Sequence, residues 1–200
     1  IRVSGDFSST TYTDSGNQVA NLRAGGSFVT GGSVFFASTF NGWIAGDMII
    51  GQNLNLSATG SLDIGRHLYV GQVLTFGNRI TDVKIGGTLF ASGKIDFQNS
   101  VNKINVAGDF ISNGDLEFDI QILDFFQVTG IMAVRGNVTF SNHVPTATDV
   151  NRFGGFYIGG SMTMPTWVNP NRDPIFCIAH NPPPVGGDES TIDFGNWTGN

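Results

Sequence analysis

The sequence is poor in cysteine, in charge and in helical pattern, and each shortage excludes a class of protein. Its 200 residues contain one cysteine, Cys177, so no internal disulfide framework can form. Ten lysines and arginines against 16 acidic residues give a net charge of −6, which argues against nucleic acid as a partner. There is no run of 18 apolar residues, so no membrane span is predicted. No long stretch has the 3.6-residue periodicity of an amphipathic helix.

Motifs for catalysis and cofactor binding are also missing. His67, His143 and His180 are far apart and have no i, i+4 or Cys-x-x-Cys partners, so no metal site is predicted. There is no phosphate-binding loop and no dinucleotide fingerprint. The carboxylates of Asp96 and Glu117 can lie near each other on one face, but basic residues are sparse and a solvated face is the favoured interpretation. We therefore expect no enzymatic activity and no cofactor.

The chain does contain a short unit that is repeated four times between Ile44 and Phe118. The copies read IAGDMIIGQNLNL, IGRHLYVGQVLTF, IGGTLFASGKIDF and VAGDFISNGDLEF. Apolar residues in each copy alternate with others at period two, which is the signature of short strands. One apolar position in each copy serves as an anchor, and the anchors, spaced by 20, 21 and 21 residues, are Met48, Leu68, Leu89 and Phe110.

The same register extends in both directions along the chain. Phe7 and Phe28 fit as earlier anchors, and Val138 and Met162 are assigned as later ones. A glycine stands two residues before almost every anchor, where we expect a corner with positive φ. The residue immediately before each anchor is polar and is predicted to cap the turn; these residues are Asp6, Ser27, Asp47, His67, Thr88, Asp109, Asn137 and Ser161.

A unit of this length cannot bury its own apolar face, whereas stacked copies can. The sequence therefore predicts an all-β fold, a single-stranded parallel β-solenoid (β-helix). It has three short strands per coil of about 20–21 residues, about seven coils and an irregular C-terminal tail. A β-sandwich with similar strand spacing is the alternative, but sandwiches do not usually keep one register of glycine, anchor and aromatic over so many copies.

The predicted solenoid occupies 1–164, and a proline-rich tail occupies 165–200. The step from Phe110 to Val138 is 28 residues, which predicts an insertion at 119–131. Prolines in the tail are expected to end the parallel coils, so the tail is predicted to pack on the solenoid or on a neighbouring subunit. The first residue is not methionine, which predicts a trimmed N-terminus and a removed secretion signal.

The residue after each anchor is predicted to point outward, which gives an apolar stripe along one face. Exposed apolar clusters usually mark interaction sites. The candidate interaction residues in the stripe, the insertion and the tail are Val29, Ile49, Tyr69, Phe90, Ile111, Ile122, Leu123, Phe125, Phe126, Trp167 and Trp197. Asn-x-Ser/Thr triplets make three asparagines candidate glycosylation sites in a glycosylating host: Asn55, Asn137 and Asn196.

The unit GD-apolar-x-x-x-G-x-apolar-x-apolar resembles the β-solenoid repeats of microbial surface proteins and, distantly, the bactofilin family of polymer-forming proteins. The resemblance covers about 22–164, although bactofilin-like coils are shorter. It implies self-assembly or a stiff surface module, with no catalytic residues to transfer. We therefore expect an extracellular or cell-surface structural protein that forms a homopolymer, a filament or layer, through its ends, insertion and tail. The alternative is a β-helix that binds or processes surface glycans, such as an adhesin module.

Overall fold

The chain winds as a single-stranded parallel β-solenoid with three strands per coil, as the repeat predicts. The computed structural model describes residues 1–14, 20–119, 122–141, 152–163 and 177–178. Six turns of 20 to 22 residues each lead along the anchor column from the first coil to the seventh. Among the described residues there is no helix, and so none that is long and apolar enough to span a bilayer.

Each coil has three faces, which are numbered along the chain starting from the face that contains the anchor. The first face contains Phe7–Ser9, Phe28–Thr30, Met48–Ile50, Leu68–Val70, Leu89–Ala91, Phe110–Ser112 and the ends of Ile122–Val134 and Arg152–Ile158. The second face contains Tyr12–Asp14, the starts of Val34–Ile44 and Leu54–Ile64, then Leu74–Phe76, Ile95–Phe97, Leu116–Phe118, Val138–Phe140 and Met162–Thr163. The third face contains Arg2–Val3, Ala20–Ala24, the ends of Val34–Ile44 and Leu54–Ile64, Ile80–Ile85, Val101–Val106, the starts of Ile122–Val134 and Arg152–Ile158, and Cys177–Ile178.

The four anchors of the central repeat are stacked neighbours. Met48 pairs with Leu68, Leu68 with Leu89, and Leu89 with Phe110. All four side chains are fully buried, because alternate residues of each strand point to the interior. The prediction on which the fold depends, that like residues lie over like residues once per coil, is confirmed.

The core is a column of apolar side chains along the solenoid axis. On the second face Phe76, Phe97, Phe118 and Phe140 form one continuous stack, with ring centroids 4.8 to 5.0 Å apart and ring planes within 7° of parallel. These distances match the strand separation of about 4.8 Å, so each ring lies over the ring of the coil below. Burial of each ring contributes about 1.5–3 kcal/mol to folding.

The polar residues before the anchors hold the corners together, as predicted. The backbone N–H of Ser27 donates to Asp6 Oδ1 (2.6 Å), and that of Asp47 donates to Ser27 Oγ (3.1 Å). The ladder continues as His67 N–H donates to Asp47 Oδ1 (3.1 Å) and Thr88 N–H donates to His67 Nδ1 (2.9 Å). Each side chain therefore satisfies a backbone donor one coil further on, where the chain turns and the strand ladder is interrupted.

Several corner glycines lie too close to the neighbouring coil to carry a side chain. The expectation of positive φ is wrong, since none of the described corner glycines adopts it. Instead, a Cβ on Gly71 would lie 2.1 Å from the carbonyl oxygen of Gly51, and a Cβ on Gly46 would lie 2.5 Å from Ser27 Oγ. At these two positions the neighbouring coil leaves no space for a Cβ unless the chain shifts.

The described residues 122–131 of the segment predicted as an insertion, 119–131, instead belong to a coil of the solenoid. Its strand, Ile122–Val134, pairs in parallel with the coil below, with one local register shift. Phe110 pairs with Met132, so Met132 is the anchor of this coil. The assignment of Val138 as an anchor is therefore wrong, because that residue starts the second-face strand.

The end of the solenoid also differs from the prediction. Met162 pairs on the second face and is not an anchor. Cys177–Ile178 pairs in parallel with Arg152 and Phe153, so parallel pairing continues past 164, where the tail was expected to end it. Proline prevents a strand from donating at its own position, but it does not prevent a short strand between prolines.

Candidate functional site

The outward side of the first face forms the predicted apolar stripe, which consists of Val29, Ile49, Tyr69, Phe90 and Ile111. These residues are register partners in successive coils. Ile49 and Tyr69 are each 37% exposed, and the other three are half-buried. The column continues beyond the stripe through Ala133 and Tyr157.

Aromatic rings in the stripe contact one another along the axis. The rings of Tyr69 and Phe90 lie 6.3 Å apart, and Tyr69 stacks on the corner residue His67 at 5.5 Å. These contacts fix the orientation of the rings on the surface of a flat, hydrogen-bonded sheet. The stripe is therefore an ordered apolar surface that alternates with the buried anchors along each strand.

The candidate interaction residues of the supposed insertion have different locations. Phe126 is fully buried and makes edge-to-face contacts with Phe110 at 5.3 Å and with Phe118 at 5.8 Å, so its assignment to an interaction surface is wrong. Ile122, Leu123 and Phe125 belong to strand Ile122–Val134, but their side chains lie outside the description, and Trp167 and Trp197 lie outside the described residues.

Two of the three candidate glycosylation sites lie in the described part of the solenoid. Asn55 is half-buried on the second face, between Phe35 and Thr75 of the neighbouring coils. Asn137 is exposed at a corner, and its Oδ1 accepts hydrogen bonds from Ser161 N–H and Oγ–H, each at 2.9 Å. Asn196 lies outside the described residues.

A second candidate site is a carboxylate cluster on the outward side of the second face, formed by Asp96, Glu117 and Asp119. Asp96 and Glu117 are register partners in adjacent coils, and Asp119 follows two residues later on the same side. One oxygen from each carboxylate lies within 4.8 Å of the others. In the described part of the chain, this is the one group of three acidic, histidine or cysteine residues with such a spacing.

The cluster is more buried than the sequence suggested. Asp96 is only 8% exposed, so the interpretation of a solvated face is wrong for this residue. Its Oδ2 accepts a hydrogen bond from Gln98 Nε2 at 2.9 Å and lies 3.5 Å from Lys94 Nζ. Lys94 Nζ also donates to Glu117 Oε2 at 2.5 Å. Asp96 Oδ1 is buried and has no hydrogen-bond partner.

Lys94 is the positive group of this site. Burial acts to lower the pKa of Lys94, but the hydrogen bond from its ammonium to Glu117 and the negative charges of Asp96 and Glu117 outweigh it, so the pKa is raised. The side chain is therefore protonated at neutral pH. Two carboxylates, those of Asp96 and Glu117, share this one ammonium group.

A third feature, a shallow groove on the third face, was not predicted. Arg23 Cζ lies 4.8 Å from the ring centroid of Trp43, whose side chain lies on the surface. The open groove beside them has a volume of about 570 Å³ and is also lined by Asn21, Asn41 and Ser61. The sequence signal that could have predicted this contact is the spacing of Arg23 and Trp43, which are 20 residues, or one coil, apart.

Comparisons of the chain with protein-family models, with curated proteins and with solved structures found no match. The β-solenoid repeat architecture therefore rests on the strand register and the stacked core described above. The resemblance of the repeat to microbial surface and bactofilin-like solenoids stays a prediction from the sequence.

Proposed function

We propose that this protein is an extracellular structural solenoid that assembles with copies of itself, as the resemblance to polymer-forming surface solenoids implies. The apolar stripe carries this proposal. Its side chains are held on a rigid sheet. Ile49 and Tyr69 are partly exposed, and their apolar surface stays in contact with water, which is unfavourable, unless something covers it. A second copy of the chain offers the same stripe with the same spacing, so the two surfaces are self-complementary.

The dimensions of the stripe favour an assembly of many weak contacts over a tight dimer. Five coils give a stripe about 19 Å long, and at a width of about 10 Å it covers roughly 200 Å² per copy. A stable dimer buries about 800 Å² per partner. Lateral contacts of this kind become effective when the copies are already joined end to end, because each further contact is then intramolecular.

Among the described residues, strand Phe7–Ser9 pairs on one side only, with Phe28–Thr30, which gives a candidate edge for end-to-end joining. Phe7 N–H donates to Ser27 O at 2.8 Å, and Ser9 O accepts from Gly31 N–H at 3.2 Å. In a parallel ladder the residue between them, Ser8, directs its backbone groups to the opposite edge. That edge can accept the strand of another copy in the same parallel register.

The stripe is tested by Tyr69→Glu and Phe90→Glu, with Asn105→Glu as the matched control. Asn105 lies on the third face and pairs with Lys84 and Gln127, so the added charge there avoids the stripe. We expect the unaltered chain to form filaments or layers in negative-stain images and faster-sedimenting species as concentration rises. Both stripe variants should lose lateral association, while the control retains it. A chain that stays monomeric at every concentration contradicts the proposal.

The edge is tested separately by Ser8→Pro, with Ser8→Ala as the control. Proline removes the Ser8 N–H from the unpaired side of strand Phe7–Ser9, whereas alanine keeps it. We expect Ser8→Pro to shorten the assemblies while the melting temperature changes little. Assemblies of equal length in both variants would show that the ends are joined in another way.

A second candidate function, glycan binding, is favoured by the groove beside Trp43. An exposed indole can stack on the apolar face of a sugar ring, and Arg23, Asn21 and Asn41 supply hydrogen-bond donors around it. The arginine favours carboxylated sugars. On a glycan array we expect binding that Trp43→Ala abolishes and that Phe35→Ala, which removes another exposed aromatic ring, leaves intact.

A further inference from the structure

Two carboxylates of the cluster on the second face, those of Asp96 and Glu117, share a single ammonium group. Asp96 and Glu117 lie side by side in adjacent coils, where like charges at strand spacing repel. Lys94 is the ammonium group that contacts them, at 3.5 Å from Asp96 Oδ2 and 2.5 Å from Glu117 Oε2. Asp119 adds a third carboxylate within 4.8 Å. Lys94 therefore supplies one positive charge to the two negative charges that it contacts.

A second observation at the same place points to a missing positive partner. Asp96 is 8% exposed, and its Oδ1 is shielded from solvent with no hydrogen-bond partner. A buried carboxylate oxygen without a partner loses its hydration without compensation, which is unfavourable for a charged group. Asp96 thus combines an unpartnered buried oxygen with two carboxylate neighbours, and a hard cation can replace the lost water with an ionic bond.

The spacing of the oxygens discriminates between the common divalent cations. Ca²⁺ binds oxygen at about 2.3–2.6 Å, so two of its ligands can be separated by up to about 5 Å. Mg²⁺ binds at about 2.0–2.1 Å in a strict octahedron, which limits the separation to about 4.2 Å. The three carboxylate oxygens spread over as much as 4.8 Å, which fits the larger ion.

Further oxygen ligands are at hand around the three carboxylates. The hydroxyl of Ser141 lies 3.5 Å from Asp119 Oδ1, in the coil above. Glu117 is half-buried and Asp119 is half-buried, so water has access to the outer side of the site. Carboxylates that bind through one or two oxygens, with water, can reach the six to eight ligands that Ca²⁺ takes.

We propose that Asp96, Glu117 and Asp119 form a Ca²⁺ site that joins two adjacent coils, and that the ion replaces the Lys94 ammonium as the counter-charge. Lys94 has a flexible stem and is one-third exposed, so it can turn out into solvent when the ion enters. The lysine and the ion compete for the same oxygens. The site therefore has an internal competitor, whose removal should strengthen the binding of the ion.

The proposal is tested by titrating Ca²⁺ and Mg²⁺ into the full chain by isothermal calorimetry after removal of metals with a chelator. We expect one equivalent of Ca²⁺ to bind saturably, more tightly than Mg²⁺, and to raise the melting temperature. Asp96→Asn and Glu117→Gln should each weaken Ca²⁺ binding by at least about tenfold, because each removes a charged ligand. Lys94→Met should strengthen it.

The matched control is Asp82→Asn, which removes one negative charge at an exposed position on the third face. It should leave Ca²⁺ binding unchanged. Circular dichroism and the melting temperature without Ca²⁺ identify a variant that does not fold, and Lys94→Met provides a test that does not remove a ligand. The proposal is overturned if neither the unaltered chain nor Lys94→Met binds Ca²⁺ saturably, or if Asp82→Asn weakens binding as much as Asp96→Asn does.

Discussion

The inward and outward residues of the same strands differ in how much they vary along the solenoid. Inward positions are apolar in most coils, with Thr30 and Ser112 as buried polar exceptions, and on the second face they place four phenylalanine rings in one stack. Outward positions change from face to face. The first face presents the apolar stripe, whereas the outward column of the second face contains Phe35, Asn55, Thr75, Asp96, Glu117 and Thr139.

This difference shows which residues determine the fold and which are available for function. The backbone ladder needs only the alternation and the corner residues, and it accepts any outward side chain that does not disturb its neighbours. An apolar stripe and a buried carboxylate cluster can therefore lie on the same scaffold. Substitutions at inward, corner and outward positions test this separation, and the largest loss of stability is expected at an inward position.

The largest loss of stability is expected from an inward substitution in the phenylalanine stack. Phe97→Ala leaves a cavity between Phe76 and Phe118 and should lower the free energy of unfolding by about 3–5 kcal/mol. Phe35→Ala removes the same ring from an outward position and should change it by no more than about 0.5 kcal/mol. Urea denaturation followed by circular dichroism measures both, and equal losses would contradict the separation of inward and outward roles.

The next largest effect is expected at a corner where coils are too close for a side chain. Gly71→Ala places a Cβ 2.1 Å from the carbonyl oxygen of Gly51, and the required backbone shift should cost about 1–3 kcal/mol. Ser92 occupies the equivalent position one coil later, so Ser92→Ala is the control and should be nearly neutral. Thermal unfolding compares the two, and a neutral Gly71→Ala would show that the corner adapts.

A smaller effect is expected from the hydrogen-bond ladder at the corners. Asp47→Ala removes the acceptor of the His67 N–H and the ion pair with Arg66 at 3.5 Å, and should destabilise by about 1–2 kcal/mol. Asp47→Asn keeps an acceptor oxygen and should retain most of the stability. If the two variants unfold at the same urea concentration, the charge of Asp47 contributes to stability and its hydrogen bond does not.

The smallest effect is a pH dependence from the carboxylate cluster. The pKa of Lys94 is raised above its ordinary value of 10.5 by Glu117 and Asp96, against the opposing effect of burial. Its contribution to stability is therefore fully present below about pH 10.5 and is lost as the pH rises through the higher folded-state value. Urea denaturation from pH 9 to 11.5 should show a decline in the unaltered chain that is reduced in Lys94→Met, and parallel curves would contradict this.

Most of the fold was predictable because the inward pattern repeats with a nearly constant period. The one misplaced coil shows where this reasoning fails. Met132 has Gly130 and Val128 before it at the anchor spacings, and Val138 follows six residues later, so the correct register was present in the sequence. Val138 also has a glycine and a branched residue at the same offsets, and choosing it produced an apparent insertion.

Less of the candidate sites could be predicted, because they depend on side-chain conformation. Alternation alone places Asp96 near Glu117 and predicts the outward direction of the apolar stripe. It does not predict that Lys94 folds back over the carboxylates or that Asp96 becomes buried. The groove at Trp43 was also beyond the pattern, since alternation does not predict which outward side chains contact each other.

The register of one coil upon the next also governs how the length of this molecule can change. Removing 68–88, which is one full circuit, would place Leu89 directly over Met48 and keep every column of like residues in line. Removing only half of these residues would place a first-face strand over a second-face strand. Outward side chains would then point into the core. The solenoid can therefore be lengthened or shortened by gene segments that each encode one whole circuit, about 21 codons.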